Sequence, residues 1–278
     1  DKYVYEKGFH LGEWLEPAEF VEDISAQSAP KLVHTEECTA YFHLTMATME
    51  EIARLLGKTD DAALFHEYAE GSKKAYDNLF LQTVPDTDRQ AKLVRPLALG
   101  CVPDEKIDAV ANRLFTAVTN RGYRIGTGFL STPFVLKTLT ENGRADLAYK
   151  MLENEEAPSW LAEVNAGATT VWEDWQGDAS HNHYSPGAVC EWMFDTILGI
   201  NVTGERHFTV KPVPGGTLDH AEGNYNSIYG NVTSGWERKD GKVTYEITIP
   251  ENTTATIVID GKATEVEAGT YQFETVEP

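Results

Sequence analysis

The hydrophobic pattern of this chain changes its period once, near Asn201, and this change limits the folds open to it. Before that point, apolar residues such as Met49, Ile52 and Leu56 recur at helical spacing. After it, short segments rich in Val, Ile, Thr and Tyr alternate with polar residues, which is typical of half-buried strands. The sequence therefore predicts a mainly α chain, with a helical domain over 1–200 and an all-β domain over 201–278.

Within the first domain the pattern predicts seven helices joined by short turns, which favour antiparallel neighbours. Their predicted ranges are 35–56, 59–80, 91–99, 103–121, 132–143, 144–152 and 186–198. Glycines such as Gly57 and Gly100 stand where helices should end. We expect the first two helices to form a hairpin around Gly57-Lys58, and residues 157–184 to be mostly loop.

The second domain should be a small β-sandwich. Strands are predicted over 208–214, 227–233, 242–249 and 255–260. Asp240-Gly241 and Asp260-Gly261 should form hairpin turns, because Asp-Gly pairs favour the positive φ angles of tight turns. This domain has few residues suited to catalysis, so any chemistry should reside in the helical domain.

The charge balance excludes several classes of partner. The net charge is −21, whereas nucleic acids and anionic membranes require a basic surface. No apolar segment approaches the roughly 20 residues that span a bilayer, so no membrane insertion is expected. A neutral sugar is compatible with the acidic composition; a phosphorylated or uronic substrate is less so.

The three cysteines, Cys38, Cys101 and Cys190, are far apart and lack the spacing of a disulfide framework or a zinc site. We expect each to be a small buried apolar residue. They indicate no cellular compartment, and no cofactor is expected.

The richest candidate site lies within 158–192, where four of the six tryptophans occur together with carboxylates and histidines. Loops with such residues are usually sites, and a carbohydrate cleft needs this mixture because indole faces stack on sugars while carboxylates bind hydroxyls. Glu173, which follows Trp172, is the candidate catalytic carboxylate. Thr169, Thr170 and His183 are candidate hydrogen-bond donors to it. The structural alternative is an ion pair between Glu173 and a surface cation.

Other polar residues leave alternatives open. His183 is a candidate sugar-binding, basic, metal-ligating or structural residue, but His181 and His183 lack an evident third ligand, so no metal is expected. Glu13 and Trp14 form a second acidic and aromatic loop, which is either part of a site or a packed extension. The segment 126–129, Gly-Thr-Gly-Phe, lacks the lysine of a phosphate loop and indicates a close backbone approach.

Taken in order, several motifs resemble those of the bacterial α-L-rhamnosidases, a family of glycoside hydrolases. They lie at 12–15, 126–133, 146–149, 158–160, 167–173, 182–187 and 191–192. They cover most of the chain, and the segment 167–173, Gly-Ala-Thr-Thr-Val-Trp-Glu, is the most specific of them.

The resemblance implies the C-terminal part of an (α/α)6 barrel, followed by a β-sandwich. The remaining helices and the general acid would then precede Asp1 in the same polypeptide, and the chain alone would be inactive. It also implies that Glu173 is the general base of an inverting hydrolase of terminal α-L-rhamnosides. His183, Trp14, Trp160, Trp172 and Glu13 would line the sugar site, and the substrate would be a rhamnose-containing glycoside or oligosaccharide.

Two positions depart from the family pattern. Glu13 stands where the family usually has aspartate, and Asp174 stands where it often has arginine after the Trp-Glu pair. The alternatives to an α-L-rhamnosidase are another (α/α)6 glycosidase and a non-catalytic carbohydrate-binding protein.

Overall fold

The computed structural model of the chain describes residues 2–17 and 34–277. Contacts divide the chain into two compact units, Asp1–Gly187 and Ala188–Pro278. The first is helical and the second contains the β-sheets. No helix in the described ranges has the length and apolar content that crossing a membrane requires.

The helical unit begins with a hairpin of two long helices, α1 (Thr35–Leu55) and α2 (Thr59–Leu79). The turn between them contains Gly57 at a φ of 68°, a conformation that costs glycine little. The predicted hairpin is therefore confirmed. Small side chains such as Ala40, Ala69 and Ser72 are buried in this unit, which allows close packing of the backbones.

The following helices are α3 (Gln90–Ala98), α4 (Ile107–Asn120), α5 (Val135–Glu141) and α6 (Ala145–Leu152). Short 3₁₀ turns at Asp104–Lys106 and Thr132–Phe134 precede α4 and α5. These elements match the predicted helices within a few residues. Their buried side chains, among them Leu93, Leu114, Leu139 and Leu147, form part of the core of this unit.

Two features of the later helical segments differ from the expectation. A short helix, α7 (Trp160–Asn165), lies within the segment predicted as loop. The continuous helix predicted over 186–198 is wrong: α8 (Tyr184–Gly187) ends at a glycine, and α9 (Val189–Trp192) continues into a π-helix at Met193–Ile197. Pro186 lacks an N–H and Gly187 favours a helix end, which explains the interruption.

The described part of the second unit contains two four-stranded sheets. One has the order β1-β2-β6-β7, with β1 (Ile200–Gly204), β2 (His207–Val210), β6 (Thr254–Ile259) and β7 (Lys262–Val266). The other has the order β3-β4-β5-β8, with β3 (His220–Ser227), β4 (Gly230–Lys239), β5 (Lys242–Ile249) and β8 (Gly269–Val276). Neighbouring strands are antiparallel except for the parallel pair β2 and β6.

The two predicted hairpin turns are confirmed. Asp240 and Asp260 have φ angles of 52° and 49°, and the glycines that follow them also have positive φ. They join β4 to β5 and β6 to β7. The predicted strand 227–233 has the wrong bounds, because residues 228–229 form the turn between β3, which ends at Ser227, and β4, which begins at Gly230.

The cysteine prediction is only partly right. Cys38 and Cys101 are buried, as expected of small apolar residues, but Cys190 is exposed. It follows Val189 on α9, which is buried, so adjacent positions on this short helix face opposite environments.

Candidate functional site

The loop between α7 and α8 folds back on itself and carries the residues singled out from the sequence. The N–H of His183 donates to the carbonyl of Val171 at 3.0 Å, and the N–H of Glu173 donates to the carbonyl of Ser180 at 2.8 Å. Residues 171–173 and 180–183 therefore run side by side as two paired arms. Glu173 and His183, ten positions apart in sequence, are brought onto neighbouring arms of one loop.

The Glu173 side chain is half-buried, and its Oε2 accepts the N–H of Ser180 at 3.2 Å. Thr170, expected to donate to Glu173, donates its hydroxyl instead to the carbonyl of His181, and the His183 ring accepts a backbone N–H at Nδ1. Pairing of the arms places the Ser180 amide opposite Glu173, which explains the difference. One carboxylate oxygen is thus held by the backbone.

Trp172 is fixed next to Glu173 by contacts within the same loop. Its indole stacks on the His181 ring, with centroids 5.0 Å apart and planes at 22°. Gly177 has a φ of 78°, and a Cβ there would lie only 2.7 Å from the Trp172 ring. A glycine is therefore required at this turn by both its backbone angle and the indole beside it.

Trp160 contacts the loop from α7. Its ring meets that of Trp175 edge-on at 5.8 Å, and its Nε1–H donates to the carbonyl of Pro186 at 2.9 Å. The helix itself is capped by Ser159, whose hydroxyl accepts the N–H of Ala162 at 3.1 Å. The Trp160 side chain is therefore buried, and its orientation is fixed by contacts with the loop between α7 and α8.

The second predicted loop has one buried and one exposed side chain. Trp14 is 40% exposed, whereas Glu13 is buried. Oε1 of Glu13 accepts the N–H groups of Gly128 at 2.9 Å and Ser131 at 2.8 Å. Its Oε2 accepts the hydroxyl of Ser131 at 2.8 Å and an N–H of Arg95. Glu13 therefore joins the N-terminal loop to segment 126–131.

The close backbone approach predicted for that segment is confirmed. A Cβ at Gly128 would lie 2.5 Å from the carbonyl oxygen of Trp14, so only glycine fits. The N–H of the next residue, Phe129, donates to the same Trp14 oxygen at 2.9 Å. The backbones of the two segments are thus in direct contact.

Phe129 connects this contact to His183. The two rings lie 4.3 Å apart at 32°, and the hydroxyl of Ser185 donates to the carbonyl of Phe129 at 2.9 Å. The structure therefore links Glu13 and Trp14 to His183 through Phe129. Sequence reasoning named the 126–129 motif but did not assign Phe129 to the site.

A buried ion cluster centred on Arg95 lies behind these loops. The Arg95 side chain is fully buried and forms ion pairs with Glu13 and Glu36, and Tyr76 donates its hydroxyl to Glu36. Burial raises the pKa of Glu13, and the positive charge of Arg95 and the hydrogen bond from Ser131 oppose that shift. The sequence carries one signal for this cluster: Arg95 is the only polar side chain in residues 93–98, the apolar part of α3.

The described ranges contain no cluster of side chains that could form a metal site. Across residues 2–17 and 34–277, no three side chains among His, Cys, Asp and Glu group closely enough to hold an ion.

Comparison with known proteins agrees with this architecture. Residues 1–197 match the bacterial alpha-L-rhamnosidase 6 hairpin glycosidase domain, and residues 201–274 match the bacterial alpha-L-rhamnosidase C-terminal domain. An alpha-L-rhamnosidase of Formosa agariphila is 32% identical over 265 residues, which cover 90% of this chain and 28% of that protein. One of Streptomyces avermitilis is 34% identical over 236 residues, covering 80% of this chain and 23% of that protein.

A solved structure also resembles this chain in fold and in sequence. The crystal structure of the Streptomyces avermitilis alpha-L-rhamnosidase complexed with L-rhamnose matches with a TM-score of 0.86 and 29% identity, over 99% of this chain and 29% of that one. The chain thus spans less than a third of the length of each of these relatives.

These findings confirm the predicted fold class. The helical unit is of the six-hairpin glycosidase class and is followed by a β-sandwich. The chain belongs to the family of bacterial α-L-rhamnosidases.

Proposed function

We propose that the whole polypeptide hydrolyses terminal α-L-rhamnosides with inversion, and that this chain supplies the base half of its active site. The observation that carries the proposal is the setting of Glu173. It is a half-buried carboxylate beside a fixed indole, held by a backbone N–H, in a six-hairpin glycosidase domain. Relatives that match most of this chain are themselves alpha-L-rhamnosidases.

Glycoside hydrolysis requires two carboxyl groups on opposite sides of the bond that breaks. Glu173 takes the proton of a water molecule, and that water attacks the anomeric carbon. The Ser180 N–H holds Oε2 of Glu173 and so directs the carboxylate toward the water. A carboxylic acid from the upstream part of the same polypeptide protonates the leaving oxygen.

The remaining predicted residues bind or frame the sugar in this proposal. His183 binds a hydroxyl of the rhamnose, with its ring oriented by Phe129 and by the Ser185 N–H, which donates to Nδ1 at 3.2 Å. The exposed ring of Trp14 offers the sugar an apolar surface on which to stack. Trp172 and Trp160 form one side of the sugar-binding cleft. Glu13, whose carboxylate is occupied within the protein, contributes by holding the Trp14 and Phe129 segments together.

The proposal is tested by the activity of the natural full-length protein on p-nitrophenyl α-L-rhamnoside. We expect release of nitrophenol at a rate far above that of the matched α-L-fucoside and β-D-glucoside. Turnover of another glycoside in preference to the rhamnoside would indicate a different glycosidase of the same fold. Binding of rhamnose without any turnover would indicate a carbohydrate-binding protein.

A further inference from the structure

Glu163, on α7, is a buried acid to which none of the roles above applies. The residue is 3% exposed. Its Oε2 accepts the backbone N–H of Trp172 at 3.2 Å. Its Oε1 is also buried and has no hydrogen-bond partner within the described part of the chain.

Burial of a carboxyl group with an unpaired oxygen lowers the stability of the folded protein. Buried polar atoms in native proteins are almost always hydrogen-bonded, and an unsatisfied one reduces stability. Burial raises the pKa of Glu163 to about 7; the bond from Trp172 opposes the shift, and the negative charge of Asp174 adds to it. An uncharged side chain of similar size would fill the same space with a smaller loss of stability, so a carboxyl group at this position indicates a function.

The bond to Trp172 lies directly beside Glu173. On the loop arm, the carbonyl of Val171 and the N–H of Glu173 bond to the opposite arm, at His183 and Ser180. The N–H of Trp172, between them, bonds instead to Glu163 of the helix. The arm that carries Glu173 is therefore fixed from both sides, and Glu163 supplies the contact on the helix side.

We propose that Glu163 is a positioning residue for Glu173: its carboxyl fixes the backbone of Trp172 and so sets the direction of the Glu173 side chain. This inference rests on the proposed function. It implies that Glu163 opposes stability while supporting activity, a combination that a merely structural residue does not show.

Two substitutions in the full-length protein separate the acceptor from the charge. Glu163→Gln keeps an oxygen at the same reach and should retain at least about half of kcat. Glu163→Met is close in size but has no acceptor, and we expect kcat to fall on the order of tenfold while KM changes by less than about twofold, because a displaced base impairs the reaction more than binding. Hydrogen exchange should be faster in a peptide over 168–176 for the Met variant only.

Stability gives a second readout. A carboxyl whose pKa is raised by folding destabilises the protein increasingly as pH rises from its unfolded pKa through about 7. The melting temperature of Glu163→Gln should therefore exceed that of the wild type more at about pH 8 than at about pH 5. A constant difference across this range would contradict the assigned burial cost.

Wild-type kcat and wild-type hydrogen exchange in Glu163→Met would overturn the positioning role. Equal losses of kcat in the Gln and Met variants would also overturn it, because the charge and not the acceptor would then matter. Absence of rhamnoside turnover in the wild type would instead refute the proposed function, and the exchange comparison would still report on the bond between Glu163 and Trp172.

Discussion

Replacement of Glu173 by glutamine in the full-length protein is expected to lower kcat on aryl α-L-rhamnosides by at least about 100-fold, the lower range for loss of a general acid or base. Glutamine keeps the size of the side chain and an oxygen for the Ser180 N–H, but it takes no proton from water. The interactions that bind the sugar remain, so KM should change little. Steady-state kinetics of the purified variant measure both values.

The matched control is Glu155→Gln, the same change at an exposed position of the same unit. Its kcat should equal that of the wild type. Near-normal turnover by Glu173→Gln would contradict the role of Glu173 as general base and would show that another group takes the proton from water.

Replacement of Arg95 by methionine is expected to destabilise the protein by about 3–5 kcal/mol, the usual effect of removing one partner of a buried ion pair. Glu13 and Glu36 would both lose their pairing with a fully buried guanidinium. Methionine leaves the space filled, so the loss measures the uncompensated charge and hydrogen bonds rather than a cavity. Thermal or urea unfolding monitored by circular dichroism gives the difference.

Arg144→Met provides the comparison, because Arg144 also pairs with a carboxylate, Asp146, but these two side chains are 38% and 52% exposed, whereas that of Arg95 is fully buried. Exposed pairs contribute little, so this variant should lie within about 1 kcal/mol of the wild type. If the two variants were equally stable, the cluster around Arg95 would not be a major determinant of the fold of this unit.

The parts of the fold that follow from local patterns were predictable. Helices α1 and α2 have regular apolar spacing and a glycine between them. Strand β5 begins directly after one Asp-Gly turn, and β6 ends at the other. Strand β3, His-Ala-Glu-Gly-Asn-Tyr-Asn-Ser, has little strand propensity of its own and forms because it pairs with β4 along its whole length. Such pairing depends on the sheet and is not visible in the segment.

The candidate site likewise combines residues that a local sequence pattern indicates with residues that only the folded structure brings together. Glu173, Trp172 and His183 could be singled out because they lie in one dense stretch of sequence. The ion pair between Glu13 and Arg95 joins residues 82 positions apart, and the burial of Glu163 depends on how the following loop folds over α7. Neither contact can be predicted from a local pattern, because the partners are set by the folded chain, so the residues that position the candidate site are identified only from the structure.

The central claim, that Glu173 acts through water in an inverting reaction, is tested most directly by proton NMR of the first sugar released by the full-length protein. Inversion leaves room for a water between base and sugar, with carboxyl groups roughly 6.5–9.5 Å apart, whereas retention places them about 5 Å apart and uses a covalent intermediate. The proposal predicts that the β-anomer of L-rhamnose forms first and that the α-anomer grows in only by mutarotation. An initial α-anomer would contradict it and would make Glu173 a candidate nucleophile.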